Sequence, residues 1–303
     1  MPEIVEVRKY VAFIRKHTHN NMVKEINIIN GRYKKHGPFE GYKKYVKELP
    51  LKIKEVNSKG KFIYFIFEND MVLFNTLGLS GGWVYSKSSI NSHPSFVHPK
   101  IGEFLNTNDV EKYHATSLKH CNVEFKLNEG YLYFFDTLSY GTMKLTTIED
   151  LEKKLKKIGP DLLHLDTTLE IFSQQLKTKK NLGKKIGIVL MDQKTISGIG
   201  NYLRADCLWL AKISPHRLIK NMDDTKIKEL YHSIQKLIWS DYDYKYAVKH
   251  KIIGKKFKRP SDYGRDFYIY WEEEDIHGNK VKTEELYEGS QKRTIFWVPS
   301  YQK

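Results

Sequence analysis

Met191-Asp192-Gln193-Lys194-Thr195-Ile196-Ser197-Gly198-Ile199-Gly200-Asn201-Tyr202-Leu203-Arg204-Ala205-Asp206 is the stretch on which the fold turns. One helical pattern ends near Gln193, a turn bearing two glycines follows, and a new helix opens at about Asn201. Backbone N–H groups at such a turn and helix start carry positive partial charge, which suits a phosphate oxygen, and Asn201 adds a side-chain donor. The same glycines would equally serve a tight interhelical turn with no ligand at all. Around this stretch, over residues 161–253, the hydrophobic period stays helical. The tail then changes. Residues 266–273 and 294–298 carry alternating aromatics around His277-Gly278-Asn279, which predicts a terminal β-hairpin.

Upstream, Ile4, Val7, Val11 and Ile14 recur at helical spacing to about Lys16, predicting an amphipathic N-terminal helix. Residues 52–56, 61–68, 71–77, 83–85, 122–127 and 131–136 are short β-branched or aromatic runs separated by Gly, Asn and Asp, the pattern of a β-sandwich. Glu68-Asn69-Asp70 and Asn128-Glu129-Gly130 read as hairpin turns. A Lys-rich helix over 148–158 is closed by Gly159-Pro160. The fold expected is therefore α+β. An N-terminal helix and β-sandwich occupy 1–145, a linker 146–160, and a helical domain 161–303, whose hairpin finger covers about 264–303.

The chain opens Met1-Pro2-Glu3-Ile4-Val5-Glu6. Initiator methionine is usually trimmed before proline, and the exposed prolyl amine would titrate near pH 8, leaving a useful uncharged fraction at neutral pH. Secondary amines attack aldehyde-like carbons to give iminium ions, and two nearby carboxylates could serve the proton transfers. Proline followed by Glu is also an ordinary helix start.

The 303 residues suit about two domains. Their 51 Lys and Arg against 36 Asp and Glu give a net charge of +15, which suits a polyanion such as nucleic acid. No apolar run is long enough to span a membrane and the N-terminus lacks a signal-peptide pattern, so an intracellular, soluble protein is expected, with no membrane role. Cys121 and Cys207 lie far apart and outside any CxxC pair, which argues against a disulfide framework or a cysteine zinc site.

Pro2-Glu3 with Glu6, together with Asp192-Gln193, Gly198, Gly200, Asn201 and Tyr202, resembles the formamidopyrimidine-DNA glycosylase and endonuclease VIII family. Gly60-Lys61, Leu77-Gly78-Leu79-Ser80-Gly81, Ile158-Gly159-Pro160-Asp161, Tyr263-Gly264-Arg265 and Gln291-Lys292-Arg293-Thr294 are similar to further family landmarks, in the same order. The resemblance implies a β-sandwich joined to a helix-two-turns-helix domain, and a bifunctional DNA glycosylase and AP lyase of base excision repair. It implies no cofactor, a monomer, and damaged DNA as partner, in duplex form and also as single strands. Pro2 would attack C1′ of the damaged nucleotide, displacing the base and forming an iminium ion that permits β- and then δ-elimination. Glu3 would act as general acid and base at the sugar, and Glu6 as the second carboxylate that positions water or the nucleophile. Lys61, Asn201 and Arg293 would hold the phosphates flanking an extruded nucleotide, with Lys194 of the turn joining them on the DNA. Read singly, these are a surface lysine, a helix cap and a surface arginine.

Two departures from the family pattern shape the expectation. Bacterial members carry a four-cysteine zinc finger at the C-terminus, whereas Val298 and Tyr301 stand in place of its second pair and residues 266–271 replace the first. This resembles the zincless finger of Nei-like glycosylases. No metal is expected, and Phe267, Tyr268, Tyr270, Trp271, Phe296 and Trp297 are available to pack the hairpin. Secondly, many members fill the gap left by the extruded base with methionine, arginine and phenylalanine, and the corresponding positions here are Leu79, Leu138 and Tyr140. Leu138 cannot donate hydrogen bonds to an orphaned cytosine, so oxidised pyrimidines and hydantoins are expected over 8-oxoguanine. Lys245, Lys249, Lys251, Lys255, Lys256, Lys258 and Arg259 form a run without acidic residues that would follow a DNA backbone or remain a solvated loop. The alternative from another class is a catalytically silent nucleic-acid-binding helix-two-turns-helix protein, which would not require Pro2 and Glu3.

Overall fold

The computed structural model describes residues 2–89, 120–288 and 291–303. The chain divides into two compact units, Met1–Pro2 with Glu6–Lys156, and Glu3–Val5 with Lys157–Lys303.

The first unit is entered by α1 (Ile4–Thr18), whose Val7, Tyr10, Val11 and Ile14 form one buried stripe at helical spacing. After β1 (Met22–Ile28), α2 (Gly31–His36) and α3 (Tyr42–Tyr45) come β2 (Leu51–Lys59), β3 (Phe62–Phe67), β4 (Met71–Thr76), β5 (Gly81–Ser86), β6 (Cys121–Leu127), β7 (Tyr131–Asp136) and β8 (Thr142–Thr147). All pair antiparallel, in the order β5-β7-β6-β1-β2-β3-β4-β8. The β1–β2 join consists of only Met22↔Lys52 and Val23↔Leu51. Two four-stranded halves therefore fold over one core to make the sandwich. At its centre, buried Trp83 lies 5.4 Å from Phe65, 5.3 Å from Phe125 and 5.2 Å from Phe134, ring to ring, and its indole N–H donates to Asn75 Oδ1 at 3.0 Å. Aromatic burial with a satisfied polar tip is what such a core needs.

Six of the eight strands follow the runs expected from the sequence, and both expected hairpin turns join consecutive strands. The two others escape the alternation test. In β1 the register slips between Val23 and Glu25, so Val23 and Ile26 are the buried positions and period two is lost. In β8 only Met143 and Leu145 are apolar, and the other four residues are Lys144 and three threonines, so no apolar run marks the strand. Of the span expected as a linker, Thr146 and Thr147 complete β8, and α4 (Ile148–Lys156) follows directly.

In the second unit come α5 (Leu169–Leu176), α6 (Ile186–Val189), α7 (Asn201–Leu210), α8 (Asp224–Tyr242) and α9 (Tyr244–Lys249). They surround a core that includes Phe172, Leu203, Leu208, Leu230 and Ile234 together with Ile4 and Val5. Side-chain caps open the first and longest of them: Thr168 accepts from the Ile171 N–H and Asp223 from that of Lys226.

The terminal hairpin lies further along than expected. Its strands are β9 (Lys282–Glu288) and β10 (Gln291–Trp297), paired from Gln291↔Glu288 to Trp297↔Lys282. Residues 266–273 are not a strand, because their backbone is bound elsewhere: buried Asp206 accepts the N–H groups of Tyr268 at 3.0 Å and Ile269 at 3.1 Å. Burial pushes the Asp206 carboxyl up to about 7 against these hydrogen bonds. Trp209 stacks on Tyr268 at 4.8 Å, with His277 and Tyr301 around it, and Asp275 accepts the indole N–H at 3.0 Å. Tyr270, Trp271 and Phe296 pack on one another, and Phe267 on Tyr202 and Tyr270. Trp297, expected among them, instead packs on His216 and donates to Glu284. Among the described residues no cluster of His, Cys, Asp and Glu could hold a metal ion, and no helix is long and apolar enough to cross a membrane.

His17, at the end of α1, stacks on Tyr85 at 4.1 Å, and burial, with Lys16 adding to it, pushes its imidazole down to about 4. The folded chain thus keeps His17 neutral where the unfolded chain, below about pH 6.5, takes up a proton. Its contribution is present above pH 6.5 and is lost as pH falls towards 4. His17→Phe should flatten the fall of stability with pH in that window by up to about one proton. Denaturant titrations at closely spaced pH values that give parallel profiles for both proteins would contradict the assignment.

Candidate nucleic-acid interface

Glycines decide the turn that leads into α7. Gly198 has φ +102°, and a Cβ there would lie 2.6 Å from Ile4 Cδ1, so only glycine lets the turn close on the N-terminal segment. Ile4 N–H donates to Gly198 O at 3.1 Å and fixes the approach. That contact brings in Glu3. Its carboxylate is fully buried and accepts the N–H groups of Gly200 at 2.5 Å, Tyr202 at 3.0 Å and Leu203 at 3.4 Å. Gly200, at the cap position of α7, has no side chain to supply, and Glu3 does so from another part of the chain. Here the structure departs from the sequence reading: the N–H groups expected to face a phosphate are already bound to a carboxylate.

Gln193 braces the same turn, accepting the Gly198 N–H at 2.9 Å and donating to Ile199 O at 2.9 Å and Met191 O at 3.2 Å. Asp192 accepts from the Thr195 hydroxyl and the Lys194 N–H. Lys194 is exposed on the outside of the turn.

Arg204, one helical turn after Asn201, is buried and ties three segments together. It donates to Gly187 O at 3.1 Å, to Asn201 Oδ1 at 3.2 Å and to Thr294 O. Burial pulls its guanidinium down to about 10, opposed first by the Glu3 carboxylate. Accepting from Arg204 through its oxygen leaves the Asn201 amide NH2 as the donor end of that side chain. Thr294 follows Arg293, which is exposed on β10. Gln193 entered the sequence reading only as part of the family motif, and Arg204 was not singled out, although a charge three residues after Asn201 on an apolar helix carried a signal.

Within the first unit, Pro2 is buried and Glu6 is partly buried in the first turn of α1; Met1 lies outside the described residues. Tyr10 is one turn beyond Glu6, and burial, with Glu6 adding to it, pushes its hydroxyl well above the usual range. Lys61 is partly buried in the two-residue turn between β2 and β3. Leu79, Leu138 and Tyr140 come together in neighbouring loops after β4 and β7, where they are 42%, 56% and 61% exposed. The loops touch at Gly78, whose φ is +61° and where a Cβ would lie 2.6 Å from Gly141 N.

The domains of one family match the chain in order: the formamidopyrimidine-DNA glycosylase N-terminal domain over residues 1–143, the H2TH domain over 158–247 and the C-terminal domain over 256–303. The formamidopyrimidine-DNA glycosylase of Ligilactobacillus salivarius is 28% identical over 240 residues, spanning 78% of this chain and 75% of that protein. That of Pediococcus pentosaceus is 38% identical over 119 residues, 38% of this chain and 42% of its own length. In fold the chain is similar to a crystal structure of Lactococcus lactis formamidopyrimidine-DNA glycosylase bound non-covalently to DNA containing an AP site, with a TM-score of 0.72 at 20% identity over 99% of each chain. The sandwich entered by a Pro-Glu helix, the helix-two-turns-helix unit and the terminal hairpin define a DNA glycosylase. The chain belongs to the formamidopyrimidine-DNA glycosylase family.

Gly198→Ala should cost about 2–4 kcal/mol, the sum of a strained left-handed backbone and a side chain forced against Ile4. Urea denaturation that finds less than about 0.5 kcal/mol, the range of an unremarkable surface change, would contradict this account of the turn.

Proposed function

We propose that the chain acts on damaged DNA as a bifunctional glycosylase and AP lyase, with the amine of Pro2 as nucleophile after Met1 is removed. The observation that carries this reading is the buried Glu3 carboxylate, held by three backbone N–H groups beside the residue that would bear the amine. A capping role alone would be met by Ser or Asp at the helix start. Pro2 attacks C1′ and the base departs; loss of the C2′ proton from the resulting iminium ion expels the 3′ phosphate, and loss of the C4′ proton from the unsaturated product then expels the 5′ phosphate. Three N–H donors suit an ionised carboxylate, so Glu3 begins as the proton acceptor and returns that proton to the sugar. Glu6 positions water or the amine. Lys61, Asn201, Lys194 and Arg293 are assigned to the phosphates and Leu79, Leu138 and Tyr140 to the gap left by the extruded nucleotide.

Lesion choice follows from the gap. Leucine at 138 offers no donor to an orphaned cytosine, so oxidised pyrimidines and hydantoins are favoured over 8-oxoguanine. Together with a finger lacking cysteine, this supports reading the chain as a Nei-like member of the family.

Borohydride should trap a covalent adduct between the Met1-processed protein and an oligonucleotide containing an abasic site, and Pro2→Gly should lower the yield at least about tenfold. Absence of an adduct with confirmed processing, or equal trapping by the variant, would sink the proline mechanism. Thymine glycol duplexes should be cleaved faster than 8-oxoguanine:cytosine duplexes, and the reverse order would refute the lesion assignment.

A further inference from the structure

We propose that Asp136 and Ser80 are positioning residues for the three apolar side chains, Leu79, Leu138 and Tyr140, that enter the gap left by the extruded nucleotide; this rests on the DNA glycosylase reading above. Asp136 ends β7 and is buried. Its Oδ1 accepts the Ser80 hydroxyl proton at 2.5 Å and its Oδ2 accepts the Gly141 N–H at 2.5 Å. Having given its one proton to Asp136, the Ser80 oxygen is free to accept, and it takes the Leu138 N–H at 2.9 Å. A single carboxylate thereby fixes both loops, directly or through one hydroxyl.

Each anchor sits at a gap-filling residue. Ser80 follows Leu79, Gly141 follows Tyr140, and the third hydrogen bond is made by Leu138 itself. Between Leu138 and Tyr140, Ser139 is held at φ +57°, a conformation that a non-glycine residue keeps only when its surroundings impose it. Beneath the loops, the Thr76 and Thr142 hydroxyls meet at 2.7 Å across the start of the β4–β8 pairing, which gives the loops a rigid base. The side chains project exposed from this frame, at whose centre Asp136 is buried and Ser80 half-buried. Loops ordered in advance lose less conformational freedom when they enter a stacked duplex.

The test is chosen to separate positioning from folding. An abasic site in a single strand needs no gap filled, whereas the same site in a duplex does. Ser80→Ala and Asp136→Asn should each lower kcat/KM on the duplex about tenfold, the effect of one such hydrogen bond, while single-strand cleavage stays within about twofold, the change left when none is lost. 2-Aminopurine placed beside the site should brighten less on binding the variants than on binding wild type. If Asp136→Asn does not fold, Ser80→Ala decides alone, since it leaves the Asp136–Gly141 bond in place. Equal losses on both substrates, or unchanged duplex cleavage and fluorescence, would overturn the positioning role. Wild type inactive on both would instead overturn the glycosylase reading on which the proposal rests.

Discussion

A buried carboxylate needs donors, and a helix start needs acceptors; Glu3 and α7 satisfy one another. Much of the second unit is arranged by that exchange. Ile4 and Val5 are drawn into its core, Gly198 must be glycine so that the segment can approach, and Gln193 fills the remaining hydrogen bonds of the turn. From α7 the order spreads through Arg204 to the finger, where Thr294 lies beside Arg293. An uncompensated buried charge would cost several kcal/mol, which is why residues far apart in sequence are specified together.

The turn glycines and the Pro2-Glu3 opening stood out because their signals are local: the positive φ at 198 calls for glycine, and Pro followed by Glu is a recognisable helix start. Their connection was not. That Glu3 would occupy the N–H groups of Gly200, Tyr202 and Leu203 depends on a contact spanning almost two hundred positions, and a sequence pattern read one segment at a time assigns those donors to an external anion. Asp136 was hidden for a similar reason. As the last residue of an apolar strand it reads as a turn signal, and only the packed loops reveal that its two oxygens face different segments.

In the sheet, aromatic and β-branched alternation located six strands, while β1 and β8 were lost to a register slip and to threonines. The strands of the terminal hairpin lie further along than the aromatic pattern implied. Alternating aromatics over residues 266–273 imitate a strand, yet these rings stack on Trp209 and Phe296 and the backbone donors beneath them go to Asp206. Aromatic content reports burial; whether the backbone is extended is decided by who takes its hydrogen bonds.

That finger carries no thiol: Cys121 and Cys207 are both buried elsewhere, and the hairpin is organised by stacked rings and two carboxylates. A thiolate zinc site is vulnerable to the oxidants that damage bases, because sulfur oxidation expels the metal and unravels the loop it held. Aromatic packing has no such redox step. The end of the protein that bears Arg293 is therefore held by contacts that do not depend on the redox state of a thiol.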